Sequence, residues 1–439
     1  MADITNIGEG LLEKDILSVL NAKDKNPYPR ANKYSLYLHT VDIDMPVALF
    51  TYLHNNGDYE HNYSDEIIAQ ISIPMGDYVF DIHPHIDNFE VSLIKETKTE
   101  RINIRYKGVM LNGTSIPDNG VYNKATKEEL NKMEMVKLDI QLIDRYTEAV
   151  RSTNIDGVYN FASVWFAIKS GLAECSKKIK VSGKPLKFNF QMLEPNNTFI
   201  YKHIEVPSGT SIIDLPNYLQ NSNYGVYNGG IGVYCKFFGE PLENTFFVYP
   251  IYSKSFFDKV DNKLIIYRSS NVNLDHVENT YFVDGDIIKM VAGNETMSLD
   301  NSESKMIDKG GDVAVTNPDK TIQRNNVVSS SGTSSTYADS NLKATTNKVR
   351  KDKSNKFNFK EGMNTYKHRS AVLKDSARHF RIIWNFSNPD IIYPGMPVMY
   401  CYVKNNEIIK VYGVVTRMFT RFNIAKHLSD SILDITVLD

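Results

Sequence analysis

At 439 residues the chain exceeds one ordinary hydrophobic core, so about two to four domains are expected. Hydrophobic residues make up 42% and charged residues 23%, the proportions of a soluble globular protein. The formal net charge of −2 argues against a dedicated nucleic-acid binder, whose phosphate contacts need a basic surface.

The opening "MADITNIGEGLLEKDILSVLNAKDK" carries charges throughout and does not read as a signal peptide. Within it, Leu11, Ile16, Val19 and Leu20 fall near one face of a short helix, an arm (residues 1–29) that packs on a neighbour or on the same chain. Strand-like segments follow: "KYSLYLHTVDI", "PVALFTYLH", "EIIAQISIPM" and "YVFDIH", then "FEVSLIKET" and "RINIRYKGVMLNG" as a hairpin. A short helix, "KATKEELNKM", precedes the most regular strand, "MVKLDIQLIDR". There Val136, Leu138, Ile140 and Leu142 point inward, and Lys137, Asp139 and Gln141 point outward. Residues 30–148 are predicted to form a mostly β domain.

The pattern then changes. "NFASVWFAIKSGLAECSKK" sets Val164, Ile168, Leu172 and Cys175 on a helical stripe. Ser211 followed by Asp214 reads as a helix start, with Pro216 expected to shorten or bend that helix. With the strands around "GGIGVYCKFF", "NTFFVYPIY" and "NKLIIYRSS", residues 149–270 are predicted to be α+β. Residues 271–439 are predicted to form a second β domain. It is interrupted at about 300–355 by a Ser/Thr/Asn-rich insertion expected to be flexible and cut first by proteases. After it, "YKHRSAVLKDSARHFRIIWNF" reads as a helix entering a strand. Val398, Tyr400 and Tyr402 then alternate with Met399, Cys401 and Val403 before Asn405-Asn406 reverses the chain.

Chemistry-bearing motifs are few. His83 and His85 lie two apart between Asp81 and Asp87, but no third histidine stands at a diagnostic distance, and a strand end in solvent is the favoured reading. Asp58, Glu60, Asp65 and Glu66 are close enough in sequence for paired-carboxylate hydrolysis, yet they occupy a turn-rich stretch where acidic residues serve solubility. "YGVYNGGIGVY" lacks the lysine of a phosphate loop, so Gly229 and Gly230 read as a hairpin turn. Cys175, Cys235 and Cys401 lie far apart with no nucleophile–base signature, which fits reduced synthesis in a cytoplasm without disulfides. No stretch approaches the roughly eighteen apolar residues of a membrane span. No enzyme, metal or cofactor is predicted.

The order of parts resembles the baseplate central hub proteins of contractile-tailed bacteriophages, which are related to the base of the type VI secretion spike. The resemblance is carried by "SGTSIIDLPNYLQNSNYGVYNGGIGVYCKF" in the middle region. Later come "AVLKDSARHF" followed by "IIYPGMPVMY", and "EIIKVYGVVTRMFTRFN" ending in "SILDITVLD". It implies two tube-forming, β-barrel-like domains of one shared fold with an α+β domain between them. It also implies a homotrimer whose ring adapts a six-fold tail tube to a three-fold central spike. Its partners would be the tail tube protein, the spike protein and neighbouring baseplate proteins of the virion. DNA would pass unbound through a lumen bordered by Lys137, Asp139 and Gln141. Two alternatives are another baseplate or tail-tip component, such as a wedge or distal tail protein, and a carbohydrate- or receptor-binding protein using its 26 tyrosines.

Overall fold

A computed structural model of the chain describes residues 7–22, 33–61, 63–96, 101–112, 125–181, 184–185, 188–236, 244–269, 280–293, 295–297, 313–317, 320–329, 332–337, 345–346 and 364–438. The architecture is mainly β with an α+β region between two β regions. In the first region, alternating apolar residues build β1 (Lys33–His39), β2 (Asp44–Pro46), β3 (Leu49–Asp58), β4 (Glu66–Pro74), β5 (Phe89–Glu96), β6 (Arg101–Met110) and β7 (Met135–Asp144). β7 pairs antiparallel with both β4 and β6. Its Val136, Leu138, Ile140 and Leu142 enter a core with Leu36, Leu53, Ile71 and Phe89.

The helix Lys127–Met133 before β7 starts with a reciprocal cap. Glu129 N donates to Thr126 Oγ1 at 3.3 Å, and Thr126 N donates to Glu129 Oε2 at 2.8 Å. This helix overrides the strand expected at "YVFDIH". Residues 75–85 form consecutive helical turns, docked by Asp77 N donating to Asn131 Oδ1 at 3.0 Å and by Lys127 bridging Asp77 and Asp81.

In the middle region, β8 (Asn154–Ala162) precedes the helix Val164–Lys178, and β9 (Lys180–Val181) and β10 (Lys184–Pro185) form a small hairpin. β11 (Asn189–Met192), β12 (Tyr201–Ser211), β13 (Gly232–Lys236) and β14 (Thr245–Tyr249) complete it. β12 pairs with β8 as a two-stranded ribbon, and β14 lies between β11 and β13. Val164, Ile168 and Leu172 pack with Ile204, Val206 and Leu215. The helix expected from Ser211 begins only at Leu215, because Ser211 still belongs to β12. Pro216 sits in the helix's first turn, where a missing N–H costs nothing, so it starts the helix instead of bending it.

The second β region holds β15 (Lys263–Arg268), β16 (Tyr281–Asp284), β17 (Ile287–Ala292) and β18 (Glu295–Met297). Within the stretch expected to be flexible, β19 (Val313–Asn317), β20 (Lys320–Ser329), β21 (Gly332–Tyr337) and β22 (Thr345–Thr346) form a separate four-stranded sheet; the rest of that stretch lies outside the described residues. The helix Thr365–Ser376 then leads into β23 (Arg378–Trp384), β24 (Pro397–Lys404), β25 (Glu407–Asn423) and β26 (Leu428–Leu438). β15 runs parallel to β17 and β24, whereas the strands of β1–β7 pair only antiparallel. The two β regions thus differ in the direction of some of their strand pairings.

The β24–β25 hairpin closes as read, with Asn405 and Asn406 at φ 52° and 64°, the left-handed pair of a two-residue turn. β25 is longer than its hairpin needs. After a register shift between Val415 and Arg417, its second half pairs with β3, from Arg417 opposite Asp58 to Phe422 opposite Leu53. This junction joins both regions into one fifteen-stranded sheet. Gly413 marks the tightest point of β25, where an added Cβ would stand 1.8 Å from the Thr436 carbonyl oxygen. Gly413→Ala is expected to destabilise the chain by about 1–3 kcal/mol in urea unfolding, because the obstacle is backbone.

The N-terminal helix, Ile7–Leu20, packs on its own chain. Leu12, Ile16 and Val19 form the buried stripe, against Phe257, Ile265, Tyr267, Val291 and Cys401. The side chain of Leu11 lies outside the described residues.

Candidate functional site

Directly opposed residues of antiparallel strands share a sheet face, so the pairings trace one surface across the β3–β25 junction. On β7, Lys137 is exposed and Asp139 and Gln141 are half-buried. They stand opposite Ser72, Gln70 and Ile68 of β4. Gln70 faces Tyr52 and Ile68 faces His54 on β3. From there the row runs through Arg421 of β25 to Asp430 of β26. A neighbouring row runs from Asp58 through Arg417 and Asp434 to Arg381 on β23. The structure thus places the three predicted residues at one end of a polar face that spans both β regions.

Charged and amide side chains bond to one another along this face. Arg381 grips Asp434 with two hydrogen bonds, Nε to Oδ1 at 2.8 Å and Nη2 to Oδ2 at 3.0 Å. Arg417 Nε donates to Asn56 Oδ1 at 2.8 Å, and Asn56 Nδ2 donates to Glu66 at 3.3 Å. Asp139 accepts from Gln70 Nε2 and Asn112 Nδ2, each at 2.6 Å. Burial lowers the pKa of His54 despite the opposing pull of Glu66 and Asp139, so its ring adds no cation at neutral pH. Lys137, Arg381, Arg417 and Arg421 are answered by Asp58, Glu66, Asp139, Asp430 and Asp434. The face is strongly polar and close to neutral. A depression of about 450 Å3 toward the β23 side of this face is lined by Asp58, Glu60, His379, Arg381, Arg417 and Asp434 among others.

The other candidate residues are employed structurally. Asp58 Oδ1 accepts from the backbone N–H groups of Glu60 and His61, at 2.8 and 3.2 Å. Glu60 accepts from Tyr252 at 2.9 Å and Lys374 at 3.2 Å. Asp65 turns inward to Lys236 and Tyr234. Asp58 and Glu60 both border the depression, but Asp65 turns inward and Glu66 bonds Asn56, so the four carboxylates are not gathered in one groove. His83 and His85 lie on a helical turn instead of an extended segment, with His85 Nε2 2.9 Å from Asp42. Among the described residues, no group of three or more His, Cys, Asp or Glu side chains is placed to hold a metal ion.

Gly229 and Gly230 occupy the turn before β13, with Gly230 at φ +70°. Burial pushes the Cys401 thiol up to about 11 and raises that of Cys235 as well. The side chain of Cys175 lies outside the described residues. Many tyrosines are interior, Tyr59, Tyr78, Tyr227, Tyr234, Tyr249, Tyr281, Tyr393 and Tyr400 among them, which removes them from any surface platform. No helix among the described residues is long and apolar enough to cross a membrane.

Sequence reasoning missed the seam beneath this face. Tyr59 and Tyr63, between β3 and β4, bond to β13, with Val233 N donating to Tyr59 O and Cys235 N to Tyr63 O, at 3.3 and 2.5 Å. Lys236 Nζ meets Asp65 Oδ2 at 3.0 Å, and the two side chains are only 9% and 17% exposed. Burial opposes ionisation of Asp65, but Lys236 and Tyr234 hold its carboxyl below the ordinary value. Burial likewise opposes the Lys236 charge, yet Asp65 keeps its pKa above the ordinary value.

Similar solved structures include tail proteins and a type VI secretion component. A tail protein from Neisseria meningitidis MC58 has a TM-score of 0.45 and 9% identity, with 92% of this chain and 96% of that one covered. The 43 kDa tail protein of prophage MuSo2 from Shewanella oneidensis has a TM-score of 0.46 and 8% identity, covering 91% and 96%. An Escherichia coli type VI secretion component, described as structurally similar to T4 bacteriophage tail proteins, has a TM-score of 0.38 and 10% identity, covering 91% and 76%. No protein-family model and no curated protein matches the sequence.

Proposed function

We propose that the chain is a structural baseplate hub protein that acts as a homotrimer in a phage tail, with its polar sheet face turned to a solvent-filled lumen. The observation that carries this reading is the β25–β3 junction, which sets two β regions side by side in one sheet. Three chains then place six β regions around an axis, the number needed to join a six-fold tube to a three-fold spike. A face of nearly balanced charge suits DNA that must slide without sticking, since a lysine-rich lining would hold phosphates by counterion release. Lys137, Asp139 and Gln141 border that lumen. The work is surface matching, which needs no catalytic group, metal or cofactor.

In this reading residues 1–29 are an arm, 30–148 and 271–439 are the ring-forming parts, and 149–270 face neighbouring baseplate proteins. Tail tube and central spike proteins bind the two ends of the ring, in virions assembled after synthesis in the host cytoplasm. Light scattering of the purified full-length chain is expected to give three times its mass of 50.0 kDa. Negative-stain imaging should show a three-fold ring with a central hole. A monomer persisting at high concentration, or a solid particle, would overturn the reading.

A further inference from the structure

Tyr59 stands where the three regions meet. It follows β3 directly and is wholly buried. Among the described residues it is the only one from the first β region in the core shared by the middle and second β regions. That core includes Phe247 and Tyr249 of the middle region and Tyr393 and Met396 of the second. Phe247 and Tyr393 stack there with ring centres 4.3 Å apart.

Each polar group of Tyr59 is taken up by another region. Its N–H donates to Thr416 O of β25 at 2.8 Å, and its carbonyl accepts from Val233 N of β13. Its hydroxyl donates to Tyr249 O of β14 at 3.2 Å. The Thr416 carbonyl is available because the register shift of β25 leaves Thr416 as the extra residue between Val415 and Arg417. Both edges of the ring lie against glycine. An added Cβ on Gly232 of β13 would stand 2.1 Å from Tyr59 Cε1, and one on Gly395 2.6 Å from Cε2. Gly395, at φ +92°, needs glycine for its backbone as well, and its N–H donates to Val415 O of β25 at 2.7 Å. Two regions thus leave out a side chain where the ring of the third enters, and packing this close leaves little room for separate movement.

The two β regions share one sheet, whereas the middle region forms sheets of its own. Among the described residues it pairs with them only through the isolated bridge of Ser64 and Cys235. Its coupling to them therefore falls largely on contacts such as those of Tyr59. We propose that Tyr59 is a keystone that makes the three regions one cooperative body, so that none opens before the others. The inference concerns a single chain and does not rest on the trimer.

Hydrogen exchange read by mass spectrometry through a urea series, at one concentration of the full-length protein, tests it. Peptides from β4 and β7, from β13 and β14, and from β25 and β26 report on the three regions. In the parent they are expected to lose protection within about 0.3 M urea of one another. Tyr59→Ala should separate them by about 1 M or more, with the middle region opening first. Tyr59→Phe, which loses only the hydroxyl, should keep them together. Tyr59→Leu retains apolar bulk and should give a smaller separation; it takes the place of the alanine variant if that chain does not fold. Separate midpoints in the parent would overturn the proposal. So would coincident midpoints in Tyr59→Ala or, where that variant does not fold, in Tyr59→Leu.

Discussion

Ile140→Asp is expected to unfold the first β region outright. Ile140 is completely buried on β7, between Ala69 of β4 and Met110 of β6, inside the core that includes Leu138 and Leu53. Truncating such a side chain costs about 2–5 kcal/mol, and an unpaired carboxylate in its place adds several more. That loss is comparable to the whole stability of about 5–15 kcal/mol typical of a domain. Far-UV circular dichroism and the soluble yield of the variant would register it. Gln141→Ala, one residue along on the polar face, should stay within about 0.5 kcal/mol of the parent in urea unfolding. If Ile140→Asp folded as stably as Gln141→Ala, the assignment of the two faces of β7 would be wrong, and the lumen assignment with it.

Asp65→Asn is expected to cost about 3–5 kcal/mol, because it leaves the Lys236 ammonium buried without its counter-charge. Replacing both together, Asp65→Leu with Lys236→Met, should recover most of that loss, since an apolar pair of similar volume needs no desolvation. Recovery separates a buried ion pair from a merely sensitive position.

The pair also predicts a pH dependence. The carboxyl of Asp65 is depressed in the fold, so its contribution is present above the ordinary carboxylate value of about 3.9 and is lost as pH falls through the lower folded value. Lys236 is raised, so its contribution is complete below the ordinary lysine value of about 10.4 and is lost as pH rises through the folded value. Stability of the parent should therefore fall on acidification below about pH 4 more steeply than that of the double variant. Identical acid profiles for the two proteins would remove the pair from any role in holding Tyr59 and Tyr63 to β13.

What the sequence determined by itself is everything with a local period or a local partner. The alternation of Val136, Leu138, Ile140 and Leu142 could be read because side chains on a strand change face at every residue. The helix before β7 was legible, and so was the turn at Asn405-Asn406, where two residues able to take positive φ sit between two alternating runs. The polar residues Lys137, Asp139 and Gln141 were visible for the same reason, but the surface they belong to was not.

That surface depends on Arg417 meeting Asp58 and on Arg381 meeting Asp434, pairings set by strand register between segments far apart in the chain. The seam depends on Lys236 meeting Asp65, 171 residues away. Tertiary docking likewise overrode local preference at "YVFDIH", where contacts with Lys127 and Asn131 stabilise helical turns in residues that favour a strand. The left-handed backbone of Phe161 leaves no mark in composition, because it follows from an irregularity in a ribbon whose second strand lies some forty residues on. Local sequence decides which residues alternate. Only the closed tertiary structure decides which alternating faces meet, because backbone hydrogen bonding pairs strands without regard to their distance along the chain.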